Sequence, residues 1–250
     1  MRGICRDVAT AFQFLTRLPL SRVPYDANAL SRSAKFFPLV GLLVGVLGSV
    51  AYLWFVRHLP APIAALLTLA LFFLATGGLH EDGLADAADA FGGGWNREQI
   101  LSILKDSRIG TFGALALVVS VGLRLLLLAN LPLDRFTAYV ISAQVLCRWT
   151  SLPLGYAFPT AREPSSASQG ARIARQISSG SLAIGSLFTV AIVGYGLRWA
   201  TWGPLVATVT VTILSGLYYW HRIGGITGDC FGATNQLAEI AVYLCGVWRP

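Results

Sequence analysis

The stretch IAALLTLALFFLATGGLHEDGLADAADAFGGG, residues 63–94, joins an uncharged apolar run to an acidic segment. Four carboxylates follow the run, with no Lys or Arg among them: Glu81, Asp82, Asp86 and Asp89. If residues 80–91 continue the apolar run as one helix, then Asp82, Asp86 and Asp89 share one face at i, i+4 and i+7. Like charges at this spacing destabilise a helix. The stripe therefore needs an explanation beyond local structure.

A bound metal is the favoured explanation of these carboxylates. Three of them beside a low-dielectric slab must be hydrated, protonated or neutralised by a cation. Mg²⁺ prefers carboxylate and water oxygens. Glu81 lies about 100° around the helix from Asp82, which suits a second metal or the substrate. The alternative is a solvated acidic helix end, which is disfavoured because intramembrane carboxylates are rare and usually functional.

The composition indicates an integral membrane protein. The 250 residues are 55% hydrophobic and 12% charged, whereas a soluble domain is about 25% charged. A span needs about 20 mostly apolar residues. Seven segments qualify: 36–56, 60–79, 110–130, 136–158, 180–199, 201–220 and 230–248. We predict an all-α transmembrane bundle over 36–248, in a single domain 1–250 whose residues 1–35 form an interfacial, cytoplasmic N-terminal segment.

The basic residues indicate which side of the bundle faces the cytoplasm. With the N-terminus inside, the inner segments 1–35, 80–109, 159–179 and 221–229 carry most of the Lys and Arg. The outer segments carry only Arg57, Arg135, Arg198 and Arg249. By the positive-inside rule the acidic segment and its neighbouring loops are cytoplasmic. The net charge of +7 is therefore explained by topology, and no nucleic-acid partner is expected.

Two further segments share the predicted inner face. KDSRIGTFG, residues 105–113, puts Lys105 and Arg108 before a span, which suits a phosphate site or simple anchoring of the span. GGITGDCFGATNQLAEI, residues 224–240, is glycine-rich and carries Asp229; it suits either a phosphate cradle or a tight loop. NREQILSILKDS, residues 96–107, opens like a capping box and predicts a short helix along the membrane surface.

Three ionisable residues fall within predicted spans. Arg148 and Glu239 lie at similar depth below the inner face, so we predict that they pair with each other, because an unpaired charge there would be costly. Arg124 lies nearer the outer face, and we expect its side chain to reach the interface.

Five stretches together resemble one enzyme family. They are FLTRLPL (14–20), FFPLVGLLVG (36–45), HEDGLADAADAFGGG (80–94), ILKDSRIGTFGALAL (103–117) and GGITGDCFGA (224–233). They are similar to the adenosylcobinamide-GDP ribazoletransferases, also called cobalamin 5′-phosphate synthases. The resemblance extends from about residue 12 to about 240. Ala87 and Ala90 stand where many members carry Thr and Gly.

The resemblance implies a magnesium-dependent enzyme of the cell inner membrane. It would join adenosylcobinamide-GDP to α-ribazole or α-ribazole 5′-phosphate and release GMP. The implied metal ligands are Glu81, Asp82, Asp86, Asp89 and Asp229, with Asp82 or Asp86 as catalytic base. The implied substrate-binding residues are His80, Lys105, Asp106, Arg108, Gly225, Thr227 and Gly228. A homo-oligomer, or association with other membrane enzymes of the corrinoid pathway, is left open.

Three alternatives are weaker. A non-catalytic scaffold leaves the carboxylate stripe unexplained. A CDP-alcohol phosphatidyltransferase signature requires an Asp where Leu79 stands and an Arg where Asp86 stands. A divalent-cation transporter would place carboxylates at mid-membrane depth on several spans, whereas here they cluster at one face beside Lys105 and Arg108.

Overall fold

The structure is a computed structural model that describes residues 2–18, 29–161 and 177–248. The described residues form helices, with a single isolated parallel bridge between Thr160 and Ile226, which confirms the all-α prediction. The helices are α1 Arg2–Leu15, α2 Leu30–Ser33, α3 Phe37–Phe55, α4 Ala61–Thr76, α5 Leu79–Gly93, α6 Arg97–Ile103, α7 Thr111–Asn130, α8 Leu133–Trp149, α9 Ser151–Ala157, α10 Ser179–Leu197, α11 Trp202–Ile223 and α12 Gly228–Val247. Most of the predicted loop 159–179 lies outside the described residues.

Long apolar helices account for part of the predicted spans. Among the described residues, Leu30–Phe55, Thr111–Asn130 and Ser179–Ile223 are long and apolar enough to cross a membrane, and the bent pair of α4 and α5 would make a fourth. Helix α8 is shorter, at 17 residues, and carries Asp134, Arg135 and Arg148. The multi-pass character is supported, whereas the count of seven spans is not confirmed.

The distribution of side chains is that of a protein in an apolar solvent. Large aliphatic side chains point outward, as in Leu74, Val118 and Leu187, which are 73%, 70% and 68% exposed. Charged side chains lie inside, since Arg124 and Arg148 are among the largest fully buried residues. A soluble protein rarely buries such charges and rarely exposes contiguous apolar surface. This inverted pattern is the structural argument for membrane insertion.

Small residues set the closest helix contacts. Helix α3 packs on α8, where a Cβ at Gly45 would lie 2.8 Å from the Cα of Ile141. Helix α5 packs on α12 in the same way: a Cβ at Gly83 would lie 3.1 Å from the Cα of Gly232. Close backbone approach through small residues is a general device of helix packing in membranes. It places the acidic helix α5 directly against the start of α12.

Candidate functional site

Helix α4 ends at a two-glycine bend that redirects the chain. Gly77 and Gly78 have φ values of +70° and +69°, a region that glycine enters without steric penalty. The axes of α4 and α5 differ by 91° at this break. The prediction that residues 80–91 continue the second span inward is therefore wrong, although the segment is helical. The bend lays α5 beside the segment that precedes α7.

Two of the predicted carboxylates face an open cavity beside α5. Asp82 is exposed and Asp86 is half-buried, and both line a cavity of about 440 Å³. The full lining is Arg17, Gly77, Gly78, Leu79, Asp82, Ala85, Asp86, Ser107, Ile109 and Leu117. Acidic, hydroxyl and guanidinium groups thus converge on one space, bounded by the glycine bend on one side and the loop before α7 on the other.

Asp89 contacts the start of α7. One of its carboxylate oxygens accepts the Gly110 N–H at 2.6 Å and the other accepts the Gly113 N–H at 2.8 Å. The carboxylate lies so close to both glycines that a Cβ at either position would collide with it. These are backbone donors that a helix leaves without intrahelical partners, and a negative charge there is favoured by the helix dipole. Asp89 thus caps α7 from a neighbouring helix.

Glu81 turns away from the cavity and pairs with Arg124. The Arg124 Nη1 lies 3.0 Å from Glu81 Oε1 and 3.4 Å from Glu239 Oε2, and its guanidinium carbon lies 5.3 Å from the centre of the Phe73 ring. The Arg124 side chain is 1% exposed. The expectation that it reaches the outer interface is therefore wrong: Arg124 ties α5 to α12 inside the bundle.

The predicted direct pair of Arg148 and Glu239 is also wrong. The ion pairs of the described residues join Glu239 to Arg124. Arg148 instead donates from Nη1 to the backbone oxygen of Gln144 at 3.0 Å and to its Oε1 at 2.7 Å. The same Gln144 donates from Nε2 to Glu239 Oε1 at 2.9 Å. An amide bridge separates the two charges, because Gln144 can both donate and accept.

The segment before α7 is exposed. Arg108 donates from Nη2 to Asp106 Oδ2 at 2.6 Å and from Nε to Oδ1 at 3.0 Å. These hydrogen bonds lower the pKa of Asp106 to about 2. Lys105 is exposed as well. Ser107 lines the cavity, but Lys105, Asp106 and Arg108 do not.

The glycine-rich loop is fixed by backbone contacts. Ile226 N–H donates to Pro159 O at 2.9 Å, and Ala161 N–H donates to Ile226 O at 3.0 Å. A Cβ at Gly225 would collide with the Pro159 carbonyl. Thr227, which precedes Gly228 at the start of α12, donates from its hydroxyl to Asp229 Oδ2 at 3.2 Å. None of these loop residues lines the cavity.

His80 and the α6 cap complete the placement of the predicted residues. His80 is buried, and its Nε2 has no hydrogen-bond partner in the described part of the chain; it does not line the cavity. The predicted cap of α6 is confirmed, since the Asn96 side chain accepts the Gln99 N–H at 2.9 Å. The Gln99 side chain in turn accepts the Trp95 N–H.

Comparison with known proteins assigns the family. The sequence model of one family, described as cobalamin-5-phosphate synthase, matches residues 7–247. The chain belongs to the cobalamin-5-phosphate synthase family. A relative named adenosylcobinamide-GDP ribazoletransferase, from Ralstonia nicotianae, is 36% identical over 97% of this chain and 95% of its own. Relatives of the same name from Shewanella woodyi and Vibrio parahaemolyticus are 38% and 37% identical, each over 94% of this chain and over 92% and 89% of their own. No solved structure matches.

The structure does not bring the five predicted metal ligands together at one site. Among the residues that the structure describes, no group of three or more His, Cys, Asp or Glu side chains is arranged to hold a metal. Two carboxylates, Asp82 and Asp86, share the cavity. Mg²⁺ typically keeps several waters and binds through one or two carboxylates plus substrate phosphates. The two cavity carboxylates therefore match the small protein ligand set that Mg²⁺ uses.

Two contributors to the site were missed from sequence. Arg17 lines the cavity, although the sequence marks it only as a charge within an apolar stretch. Arg124 holds Glu81, although its position favours an interfacial side chain. The signal available for Arg17 was its place in FLTRLPL, one of the stretches that carry the family resemblance.

Proposed function

We propose that the chain is an adenosylcobinamide-GDP ribazoletransferase of the membrane that joins adenosylcobinamide-GDP to α-ribazole or α-ribazole 5′-phosphate. Family membership and the names of its relatives support the reaction. The observation that carries the site is that Asp82 and Asp86 line one cavity on the helix that bears the family-like acidic stretch.

The chemistry is a phosphoryl transfer that needs an acid–base group and charge neutralisation. A ribose hydroxyl oxygen of the acceptor attacks the phosphorus nearest the corrinoid. The bond from that phosphorus to the bridging oxygen breaks, and GMP leaves with the electron pair. The hydroxyl proton passes to Asp82 or Asp86. Positioning and electrostatics dominate the catalysis of such transfers.

Asp82 and Asp86 would also hold magnesium, from the open side of α5. Bound there, the ion would neutralise the donor diphosphate and stabilise the leaving GMP. The residues Glu81, Asp89 and Asp229 would support this arrangement indirectly, since they contact Arg124, the start of α7 and Thr227 respectively. This division replaces the five-ligand set implied by the resemblance.

The site would face the cytoplasm of a cell with the enzyme in its inner membrane. The excess of Lys and Arg on the segments 1–35, 80–109, 159–179 and 221–229 supports that orientation. Cysteine labelling at position 95, where the Trp95 side chain is 90% exposed, tests it, because labelling from outside intact cells would contradict the proposal.

The decisive experiment is GMP release from adenosylcobinamide-GDP, α-ribazole 5′-phosphate and Mg²⁺ by the purified chain in liposomes. Asp82→Asn and Asp86→Asn should each lower the rate by about 1,000-fold or more, because a metal site contributes several kcal/mol to transition-state stabilisation. Asp134→Asn is the matched control, since Asp134 is an exposed carboxylate, 74% exposed, at the start of α8.

Stability separates this proposal from a structural role of the two carboxylates. Loss of a carboxylate from the stripe relieves repulsion, so Asp82→Asn should melt at or above the wild-type temperature without magnesium. Magnesium with donor should raise the melting temperature of wild type but not of Asp82→Asn. Near-wild-type turnover by Asp82→Asn would refute the site, and absence of GMP release by wild type would refute the function.

A further inference from the structure

The cavity beside α5 presents one basic side chain among its described lining residues, Arg17. The side chain is exposed, and no described carboxylate forms an ion pair with it. Phosphate esters are commonly recognised by the planar guanidinium fork, which offers two parallel hydrogen bonds to the phosphate oxygens. Carboxylates can bind a phosphate group only through a metal ion, because both groups are negatively charged. A guanidinium beside them would contact the phosphate directly.

Arg17 is held at the bend between α4 and α5. Its backbone N–H donates to the Ala75 carbonyl at 2.7 Å, which ties the chain after α1 to the last turn of α4. Its side chain lies across Gly77: a Cβ there would stand 2.5 Å from Arg17 Nε and 2.9 Å from its Cγ. Gly77 thus forms part of the bend and also leaves room for the Arg17 side chain. The backbone hydrogen bond to Ala75 and this space together position the guanidinium.

The other described arginines near α5 are committed elsewhere, and Lys105, which is exposed, does not line the cavity. Arg108 forms the bidentate pair with Asp106. Arg97 donates to the carbonyls of Ile223 and Ala161 at 3.0 and 2.9 Å, and Arg222 donates to the Gly94 carbonyl at 2.8 Å. Arg124 is buried against Glu81. Geometry therefore leaves Arg17 to meet an anion in the cavity.

The surroundings of Arg17 favour a strong contact with an anion. On its other side Arg17 ends an apolar groove of about 700 Å³ between α3 and α4, lined by side chains such as Leu47, Trp54 and Leu74. Low-dielectric walls strengthen a charge–charge interaction relative to open water. The guanidinium therefore stands where polar cavity and apolar surface meet.

We propose that Arg17 binds the diphosphate of the donor substrate in the Asp82–Asp86 cavity. This inference rests on the proposed function and extends it, because sequence assigned phosphate binding to Lys105 and Arg108. Arg17 contacts the diphosphate before and during transfer, so its loss affects donor binding more than the chemical step. Binding that is equal in the ground and transition states changes KM and leaves kcat.

The test is the steady-state kinetics of GMP release by Arg17→Gln and Arg17→Lys in liposomes. Arg17→Gln should raise the donor KM by about 10- to 100-fold, the range expected for loss of a charge-assisted hydrogen bond, and should change the acceptor KM by less than about twofold. Arg17→Lys keeps the charge without the fork and should fall between. Arg57→Gln, an exposed arginine just after α3, is the matched control and should behave as wild type.

Inorganic diphosphate serves as an independent probe. It should inhibit wild type competitively with the donor and inhibit Arg17→Gln with a weaker constant by a similar factor. An unchanged donor KM in Arg17→Gln, or equal increases for donor and acceptor, would overturn the inference while the proposed function stands on wild-type GMP release. Because Arg17 is exposed, the substitution should leave melting unchanged. If Arg17→Gln nevertheless fails to fold, the donor KM of Arg17→Lys decides the matter alone.

Discussion

The cavity that holds Asp82 and Asp86 and the cluster around Arg124 lie on different sides of one helix, α5, and use the same chemical groups differently. On the cavity side, Asp82 is exposed. On the inner side, Glu81, the preceding residue, contacts a guanidinium that is 1% exposed, together with Glu239 and, through Gln144, Arg148. Adjacent acidic residues thus face two different environments.

The difference shows that the role of each carboxylate in a motif must be assigned from what that carboxylate contacts. The inner cluster balances two carboxylates with two guanidiniums, and it joins α5, α7, α8 and α12. Buried charges of this kind are tolerated only when paired. On the cavity side, the Asp82 carboxylate is instead exposed, where a metal and a substrate can reach it. The cluster around Arg124 fixes the position of α5, and the side of α5 that faces the cavity is left for chemistry.

The largest effect on stability is expected at Arg124. Arg124→Gln leaves the buried Glu239 and the half-buried Glu81 without their ion-pair partner, so the free energy of unfolding should fall by about 3–5 kcal/mol. Arg124→Lys should lose less, because it keeps the charge but cannot contact both carboxylates with a planar fork. Thermal melting in detergent and the yield of folded protein measure the change.

Arg57→Gln, which alters an exposed arginine, serves as the control for Arg124 and should melt as wild type. If Arg124→Gln melts within about 1 °C of wild type, which for a chain of this size is well under 1 kcal/mol, the inner cluster does not stabilise the fold. That result would contradict the claim that one side of α5 stabilises the fold while the other is left for chemistry.

The sequence predicted the helices better than their directions. Apolar runs and a capped α6 follow from side-chain periodicity and local hydrogen bonding, which a sequence displays. The bend at Gly77 and Gly78 depends on two left-handed residues, and glycine permits that conformation without requiring it. The direction of α5, and with it the sorting of Glu81 from Asp82, therefore needed the structure.

The partners of buried charges were the least predictable feature. Depth along a span suggested that Arg148 would meet Glu239, but depth does not define the rotation of each helix. Gln144 on the same helix as Arg148 intervenes, and Arg124 on a different helix reaches Glu239. Arg17 was missed for a related reason, since a residue before the first predicted span reaches the site only through the packing of residues 16–18 on α4.

Double-mutant cycles can sharpen the assignment of charge partners. The coupling between Arg124→Gln and Glu239→Gln should be about 1–3 kcal/mol, the range of residues in direct contact. The coupling between Arg148→Gln and Glu239→Gln should be smaller, because Gln144 stands between them. The free energy of unfolding of each single and double variant gives both couplings, and a larger coupling for Arg148 would restore the sequence-based pairing.

A smaller effect is expected at the cap of α7. Asp89→Asn removes the charge and one of two acceptors for the Gly110 and Gly113 N–H groups, so stability should fall by about 0.5–2 kcal/mol, the range of a lost helix cap. Asp82→Asn, on the same helix, should not lower it. Thermal melting without magnesium compares the two, and equal stability would mean that Asp89 resembles Asp82 and belongs to the metal site.

The smallest effect is expected at Asp106. This residue tests whether the exposed charges before α7 belong to the Asp82–Asp86 cavity or to the cluster around Arg124. Hydrogen bonds from Arg108 lower the pKa of Asp106 to about 2. A carboxyl with a lowered pKa contributes stability above its unfolded pKa of about 3.9 and loses it as the pH falls through the folded value. Between about pH 5 and pH 9 the carboxyl stays ionised in both states, and exposed pairs contribute little.

Melting temperatures of wild type and Asp106→Asn should therefore run parallel over that range and diverge only in stronger acid, and the donor KM should be unchanged. A raised donor KM in Asp106→Asn would show that the pair orients a phosphate-binding loop, and it would extend the cavity side of the comparison to the segment before α7.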